Sequence, residues 1–162
     1  MERVIGILAQ KGFEPLSFRQ IEEGRRTLIF HVDGKVPVTV KRTKRPSKEE
    51  EAKGLIVDIQ AYHGALQQKG VRVPQLHLVD LLDCDEGRHV YTVTESIGLG
   101  LNVAQEILEA PENVCLEITS QILEMIGRLT DPSSHNLTVG FDSFVKNFVR
   151  GEDGQLYFVD FI

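Results

Sequence analysis

The stretch Phe141–Ile162 constrains the fold of this chain most strongly, because a hairpin pattern and several closely spaced polar side chains coincide there. The parts of a β-hairpin follow one another as an apolar run, a Gly-rich turn and a second apolar run: Phe148-Val149, Gly151–Gly154 and Leu156–Val159. Apolar runs on both sides of such a turn are typical of paired antiparallel strands. The predicted hairpin brings Asn147 and Asp160 side by side at its open end.

Asp142 lies just before this hairpin, on a predicted loop, so two carboxylates and a carboxamide are expected to converge at the mouth of the strands. These groups offer only oxygen ligands. Mg²⁺ binds oxygen, and it usually takes one or two carboxylates and leaves its other positions to water and phosphate. Phosphoryl transfer by a kinase needs the same set, with one Asp to orient the attacking hydroxyl and an Asn and a second Asp to hold the metal.

The spacing of these residues resembles the catalytic loop and metal-binding motif of the protein-kinase-like superfamily. The D-x-x-x-x-N half matches Asp142 and Asn147, and the first two residues of D-F-G match Asp160-Phe161. The spacing is most similar to that of bacterial small-molecule kinases, the aminoglycoside-phosphotransferase-like and lipopolysaccharide-kinase-like enzymes. Two positions depart from the pattern, because Gly140 stands where the family usually has His and Ile162 stands where it has Gly.

A second predicted hairpin, nearer the start of the chain, carries a lysine. Its parts are two alternating segments with a two-residue turn signal between them: Thr27–Val32, Asp33-Gly34 and Val36–Val40. Thr39 and Lys41 share one face of the return strand, because side chains alternate along a strand. Val38–Lys41 resembles the family's V-A-I-K strand, whose Lys binds the α and β phosphates. The resemblance implies that Lys41, with Thr39 beside it, contacts the nucleotide; the alternative is that Lys41 ends the strand on its solvent side.

The residues that follow predict the clearest helix of the chain. Ser47 and Glu50 have the spacing of a capping box, and Gly70 marks the expected end. One stripe recurs at helical spacing between them: Ala52, Leu55, Ile56, Ile59, His63 and Leu66. His63 lies on that stripe, so it is interpreted as a packed side chain rather than as a base.

An acid on this helix pairs with the strand lysine in the kinase family. Glu51 and Asp58 lie on one flank of the predicted helix, two turns apart, and either could reach Lys41. The family's spacing to the segment Val71–Pro74 favours Asp58, and Glu51 is the alternative.

Two further nucleotide contacts are implied by the order of the predicted elements. Gly24 follows the first predicted strand, where the family has a Gly-rich loop over the phosphates; the alternative is an ordinary hairpin turn. After two more predicted strands, Thr94–Gly98 resembles the hinge of the family. There an adenine would bind the carbonyl of Glu95 and the amide of Ile97.

Composition excludes several classes of function. The chain has 162 residues, enough for one well-buried core. Its net charge of −6 argues against a nucleic-acid-binding surface, and no apolar run is long enough to span a bilayer. Cys84 and Cys115 are isolated, which indicates reduced thiols in a cytoplasmic protein.

The order of elements predicts an α+β chain, and the resemblance implies that it has the protein-kinase-like fold. Residues 1–97 would form a five-stranded antiparallel sheet with one long helix. Residues 98–162 would form a partial helical lobe, with helices at Asn102–Ala110 and Pro111–Asp131 before the catalytic-loop hairpin.

The expected function is ATP- and Mg²⁺-dependent transfer of a phosphoryl group to a hydroxyl of an unidentified acceptor. Asp142 is the expected base, Lys41 and Asp58 position phosphates, and Asn147 and Asp160 hold the metal. Because the family's domain normally continues for about a hundred residues more, a chain ending at this motif is expected to bind Mg²⁺–ATP weakly and transfer slowly. The alternatives are a pseudokinase or regulatory module without turnover, and an α+β interaction domain in which the motif matches are chance.

Overall fold

A computed structural model of the protein describes residues 2–97 and 103–160. In chain order its elements are α1 (Glu2–Gln10), β1 (Pro15–Glu23), β2 (Thr27–Gly34), β3 (Val38–Thr43), α2 (Glu49–Gln68), β4 (Leu76–Cys84), β5 (Gly87–Glu95), α3 (Val103–Glu109), α4 (Glu112–Leu129), a 3-10 turn (Val145–Asn147), β6 (Phe148–Arg150) and β7 (Leu156–Phe158). The predicted α+β class is confirmed.

Contacts divide the chain into two compact units. The first unit comprises Met1–Gln60 and Gln75–Ser96, and the second comprises Ala61–Pro74 and Ile97–Ile162. The end of α2 and the segment after it therefore group with the second unit, although the sequence places them within an N-terminal lobe that ends at residue 97. Residues 98–102 lie outside the described part of the chain. The predicted boundary between residues 97 and 98 adjoins this segment, and the predicted start of α3 at Asn102 falls within it.

The first unit is built on a five-stranded sheet in the order β1-β2-β3-β5-β4, in which every neighbouring pair is antiparallel. The predicted five-stranded antiparallel sheet is confirmed. Alternating residues of its strands form the core with the apolar face of α1: Val4, Leu8, Phe30, Val32, Val38, Val40, Leu82, Tyr91 and Val93. This alternation fixes the register, because a slip of one residue would turn the buried side chains to the opposite face.

The connection between β2 and β3 differs from the predicted two-residue turn at Asp33-Gly34. Both residues extend β2 and pair with β1, and the chain turns further on, before Val38. The Asp33 carboxylate binds the Ser17 hydroxyl at 3.0 Å and the His31 ring at 3.0 Å. A Cβ on Gly34 would lie 2.8 Å from the Glu14 carbonyl oxygen. The turn signal was therefore wrong because these residues make the close pairing with β1.

Helix α2 begins at Glu49, two residues after the predicted cap, and the Ala52 amide donates to the Lys48 carbonyl at 2.9 Å at its start. It ends before Gly70, whose φ of 73° is readily adopted by glycine. The predicted stripe includes the buried side chains of the helix: Ala52, Ile59, His63 and Leu66. His63 Nε2 lies 2.9 Å from the Pro74 carbonyl oxygen, so the packed role predicted for this histidine is confirmed.

The second unit contains α3, α4 and the β6–β7 hairpin. The predicted hairpin is confirmed, with Phe148 opposite Phe158. These two rings are fully buried, and Phe141 packs on them with ring centroids 5.8 and 4.6 Å away. Helix α4 contributes its buried apolar side chains: Ile118, Ile122, Met125 and Leu129. None of the helices in the described residues has the length and hydropathy of a membrane span.

Candidate functional site

The second unit joins Asp142 to Asn147 directly. The chain leaves the loop through the 3-10 turn, and the Asn147 side-chain amide donates from Nδ2 to the Asp142 carbonyl at 3.3 Å. Asn147 is only 5% exposed, so this bond orients a buried carboxamide. A carboxamide has donors on nitrogen and an acceptor on oxygen. With Nδ2 turned toward the loop, Oδ1 is the atom that the residue can offer to a cation.

Asp160 reaches the same end of the hairpin from the other strand. The Val159 amide donates to the Asn147 carbonyl at 2.9 Å, which continues the β6–β7 pairing by one step. Asp160 is the next residue and its side chain is exposed. The hairpin register thus places Asp160 one residue beyond the partner of Asn147. Phe161 and Ile162, the rest of the D-F-G-like motif, lie outside the described residues.

Asp142 itself is exposed, and its carboxylate is oriented by the loop. Oδ1 accepts the amide of Phe144 at 3.2 Å. One oxygen therefore fixes the side chain, while an acceptor hydroxyl can approach the other. This is the arrangement a general base needs, since it must reach the proton it takes within hydrogen-bond distance.

Tyr62 of α2 is a member of the site that the sequence did not indicate. Its hydroxyl donates to the Gly140 carbonyl at 2.5 Å. Burial raises the pKa of Tyr62, and the negative charges of Asp160 and Asp142 raise it further. Both carboxylates thus act on the electrostatics of the same phenol. The only sequence signal was that Tyr62 flanks the apolar stripe of α2, three residues after Ile59.

Within the described residues, no group of three or more His, Cys, Asp or Glu side chains is arranged to hold a metal. The candidate set is smaller, with two carboxylates and the Asn147 oxygen. Such a set suits Mg²⁺ rather than a metal that needs a full protein cage, because Mg²⁺ keeps water and substrate phosphate among its ligands.

The lysine of the first unit sits in the middle of its sheet. Lys41 pairs with Ile29 on β2 and Thr92 on β5. Thr39 lies two residues earlier on the same face and pairs with Thr94. The predicted placement of Thr39 and Lys41 on one face is thus realised in the strand register. Their contact with phosphate stays a prediction.

Both candidate acids on α2 are exposed. Glu51 and Asp58 lie on one flank of the helix, as the spacing predicts. Glu49 is the acid whose ion pairs are resolved, with Lys53 at 2.9 Å and Arg88 at 3.2 Å. These partners, Lys53 first, lower the pKa of Glu49. The choice between Asp58 and Glu51 as the partner of Lys41 stays a prediction.

The end of β5 contains the predicted hinge contacts. The Glu95 amide donates to the Gln75 carbonyl at 3.0 Å, and the Ser96 amide donates to the Pro37 carbonyl at 3.2 Å. The Gln75 amide binds the Glu95 side chain at 2.8 Å. A regular ladder would direct that amide to the Glu95 carbonyl instead. The Glu95 side chain thus takes the Gln75 amide that would otherwise bind the Glu95 carbonyl. That carbonyl, together with the Ile97 amide, is the group expected to bind adenine.

Gly24 lies in the short connection between β1 and β2. Its amide donates to the Thr27 carbonyl at 2.9 Å, and a Cβ at this position would lie 3.2 Å from Thr27 Oγ1. This geometry accounts for Gly24 as a tight-turn residue. The phosphate contact implied by the resemblance stays a prediction.

A comparison with models of protein families finds none that matches the chain. A comparison with curated proteins finds no match either. The chemistry of the site is therefore argued from its own geometry.

Proposed function

We propose that the protein is an ATP- and Mg²⁺-dependent phosphotransferase with a protein-kinase-like fold, which transfers the γ-phosphoryl group to a hydroxyl of a small or macromolecular acceptor. A nucleic-acid partner is not expected at a net charge of −6. The proposed location is the cytoplasm, where the free thiols Cys84 and Cys115 would stay reduced.

The bond between Asn147 Nδ2 and the Asp142 carbonyl carries the proposal. It closes the D-x-x-x-x-N segment into a loop and leaves the buried amide oxygen as the atom that would bind a cation. Asp160 supplies a carboxylate at the same end of the hairpin. These residues would hold Mg²⁺, which neutralises charge that develops on the phosphates during transfer.

Asp142 would take the proton of the acceptor hydroxyl. Its fixed Oδ1 and its exposed position support this role. Little covalent chemistry is needed from the protein in phosphoryl transfer, so positioning and electrostatic stabilisation supply most of the rate. The base must therefore be held in place by its loop.

The first unit would bind the nucleotide. Lys41, with Thr39 on its strand face, would contact the phosphates, and Asp58 would pair with Lys41, Glu51 being the alternative. Glu95 and Ile97 would offer backbone groups to the adenine. The unusual bond from the Gln75 amide to the Glu95 side chain supports the hinge assignment, because it leaves that carbonyl outside the regular ladder.

A binding module without turnover is the second candidate. Gly140 favours it, because the family usually has His there and glycine contributes no side chain to the loop. The turn with Gly24 also favours it, since a single glycine there serves the hairpin.

Calorimetric titration with ATP, with Mg²⁺ and with a chelator, tests the proposal. The wild type is expected to bind ATP more tightly with Mg²⁺. Asp160→Asn should lose most of this gain while metal-free binding changes little, because it removes a charge from a hard-cation site. Glu152→Gln, which removes an exposed carboxylate from the turn of the same hairpin, is the matched control.

The outcomes separate the candidates. Equal losses with and without Mg²⁺ would show that Asp160 is not a ligand. Binding of Mg²⁺–ATP without any phosphoryl transfer would select the module without turnover. A wild-type chain that binds no ATP would contradict both, and would leave an α+β interaction domain.

A further inference from the structure

Three successive residues of the candidate catalytic loop are each held by a different part of the second unit. The Gly140 carbonyl accepts the Tyr62 hydroxyl at 2.5 Å. The Phe141 ring packs on Phe158 with centroids 4.6 Å apart. The Asp142 carbonyl accepts the Asn147 side chain at 3.3 Å. The aromatic contact and the amide belong to the loop and its hairpin, whereas Tyr62 comes from α2.

Tyr62 is thus the group that ties the start of this loop to a long helix. Gly140 has no side chain that could anchor it. A Cβ added at this position would meet no heavy atom within 4 Å. The backbone carbonyl is the part of Gly140 that is held. Only Phe141 separates Gly140 from Asp142 along the chain. A shift of Gly140 would therefore also move Asp142.

We propose that Tyr62 is a positioning residue for Asp142, which holds the loop at the Gly140 carbonyl and thereby sets the approach of the base to the acceptor hydroxyl. This inference rests on the proposed phosphotransferase function and deepens it. The geometric basis is the bond itself, in which the Tyr62 hydroxyl donates to the Gly140 carbonyl at 2.5 Å.

A positioning role predicts a particular kinetic effect. The Tyr62 hydroxyl contacts the loop carbonyl, and Tyr62 belongs neither to the strand of Lys41 nor to the predicted hinge. Nucleotide binding should therefore be nearly independent of this hydroxyl. The rate of transfer should fall, because a small displacement of a reacting group lowers the rate steeply.

Tyr62→Phe removes only the hydroxyl. The reaction to be measured is Mg²⁺-dependent release of inorganic phosphate from ATP, with water as the acceptor. The bond between the γ-phosphorus and its bridging oxygen breaks as the water oxygen bonds to phosphorus. ADP keeps the electron pair, and Asp142 takes the water proton. We expect kcat to fall roughly tenfold and KM for Mg²⁺–ATP to change less than about twofold.

Tyr157→Phe is the matched control. It also removes a phenol hydroxyl from the second unit, but that hydroxyl lies 3.3 Å from Asp153 in the hairpin turn. Its kcat should equal that of the wild type. Thermal melting of both variants checks that they fold, and hydrogen exchange at the Asn147 amide, which donates to the Phe144 carbonyl at 2.8 Å, reports on the loop. Exchange there should be faster in Tyr62→Phe alone.

Each result decides the matter. Unchanged kcat in Tyr62→Phe beside an active wild type would overturn the role of Tyr62 and leave the proposed function intact. A parallel rise in KM, or a variant that fails to fold, would assign the bond to binding or stability and also overturn it. A wild type that releases no phosphate would remove the proposed function itself, and the role of Tyr62 with it.

Discussion

The two units hold their candidate residues by different means. In the first unit, Lys41 is placed by the backbone, because β3 is paired on both sides, at Ile29 and at Thr92. In the second unit, Asp142 lies on an exposed loop placed by single side-chain contacts. The difference teaches where substitutions matter. A change of one side chain in the sheet is expected to leave Lys41 in place, because strand pairing positions it. A change of the buried Asn147 amide is expected to displace the loop that carries Asp142.

The largest effect on stability is expected from Asn147→Asp. The aspartate lacks the Nδ2 donor, so the Asp142 carbonyl loses its partner and a carboxylate is buried beside it. Loss of a buried bond together with an unpaired buried charge should lower the free energy of unfolding by about 3 kcal/mol. Urea unfolding measures this loss.

Asn136→Asp provides the comparison for that experiment, because Asn136 is exposed in the second unit. Its stability should stay within about 0.5 kcal/mol of the wild type. Equal stability of the two variants would mean that the carboxamide does not hold the loop, and would remove the contrast between the units.

The next effect is on binding rather than stability. Lys41→Gln should weaken Mg²⁺–ATP binding by about 10- to 100-fold, since a charge-assisted hydrogen bond contributes roughly 1.5–3 kcal/mol. The free energy of unfolding should hardly change, because the strand register places this residue. Calorimetric titration is the measurement, and Lys11→Gln, an exposed lysine of the first unit, is the control. If both variants bind as the wild type does, Lys41 is a solvent-facing strand end.

Two glycines sharpen the comparison at the level of the backbone. Gly34→Ala in the first unit would place a Cβ 2.8 Å from the Glu14 carbonyl oxygen and 2.9 Å from that of Phe13. Both obstacles are backbone atoms, so strands must shift, and a loss of about 2 kcal/mol is expected. Gly140→Ala meets no atom within 4 Å and should be neutral. Thermal melting of the pair tests this; similar melting temperatures would contradict the close approach at Gly34.

The smallest effect is electrostatic and concerns the end of α4. Hydrogen bonds from the Ser133 hydroxyl and amide, and then from Ser134, lower the pKa of Asp131 from 3.8 to about 2. A group whose pKa is lower in the folded state stabilises the fold above its unfolded pKa. This contribution is therefore present above about pH 4 and is lost as the pH falls toward about 2.

Asp131→Ala should remove that pH dependence. Its melting temperature should lie slightly below that of the wild type at about pH 5, and the difference should shrink as the pH falls through about 2. A difference that stays constant across this range would show that the carboxylate charge is not responsible.

Regular structure was predictable where the pattern of many residues indicates the same element. The alternation of β2 and β3 and the stripe of α2 each involve several side chains, so the sheet, the long helix and the hairpin followed from the sequence. The prediction of a turn at Asp33-Gly34 was wrong because a two-residue signal contains only local information. It could not reveal that Ser17, which lies 16 residues earlier in the chain on β1, binds the same aspartate.

The candidate site was predictable to the extent that its groups are side chains at fixed spacing. Asp142, Asn147 and Asp160 follow that rule. The Asn147 side chain binds the Asp142 carbonyl, and the hairpin register places Asp160 one residue beyond the partner of Asn147. Tyr62 could not be predicted in this way, because its hydroxyl binds a backbone carbonyl and every residue has such a carbonyl. The Glu95 carbonyl has the same limitation, since its availability depends on where the Gln75 amide points.

The double use of Asn147 has an evolutionary consequence. Its nitrogen serves folding and its oxygen would serve catalysis, so the two selective pressures act on one codon. Under the proposed function, a lineage that lost phosphotransfer would be free to drift at Lys41 and Asp160, yet purifying selection for a stable fold would still retain Asn147. Among descendants of this protein, persistence of the asparagine would therefore carry little information about activity, whereas joint persistence of the lysine and the second aspartate would carry much more.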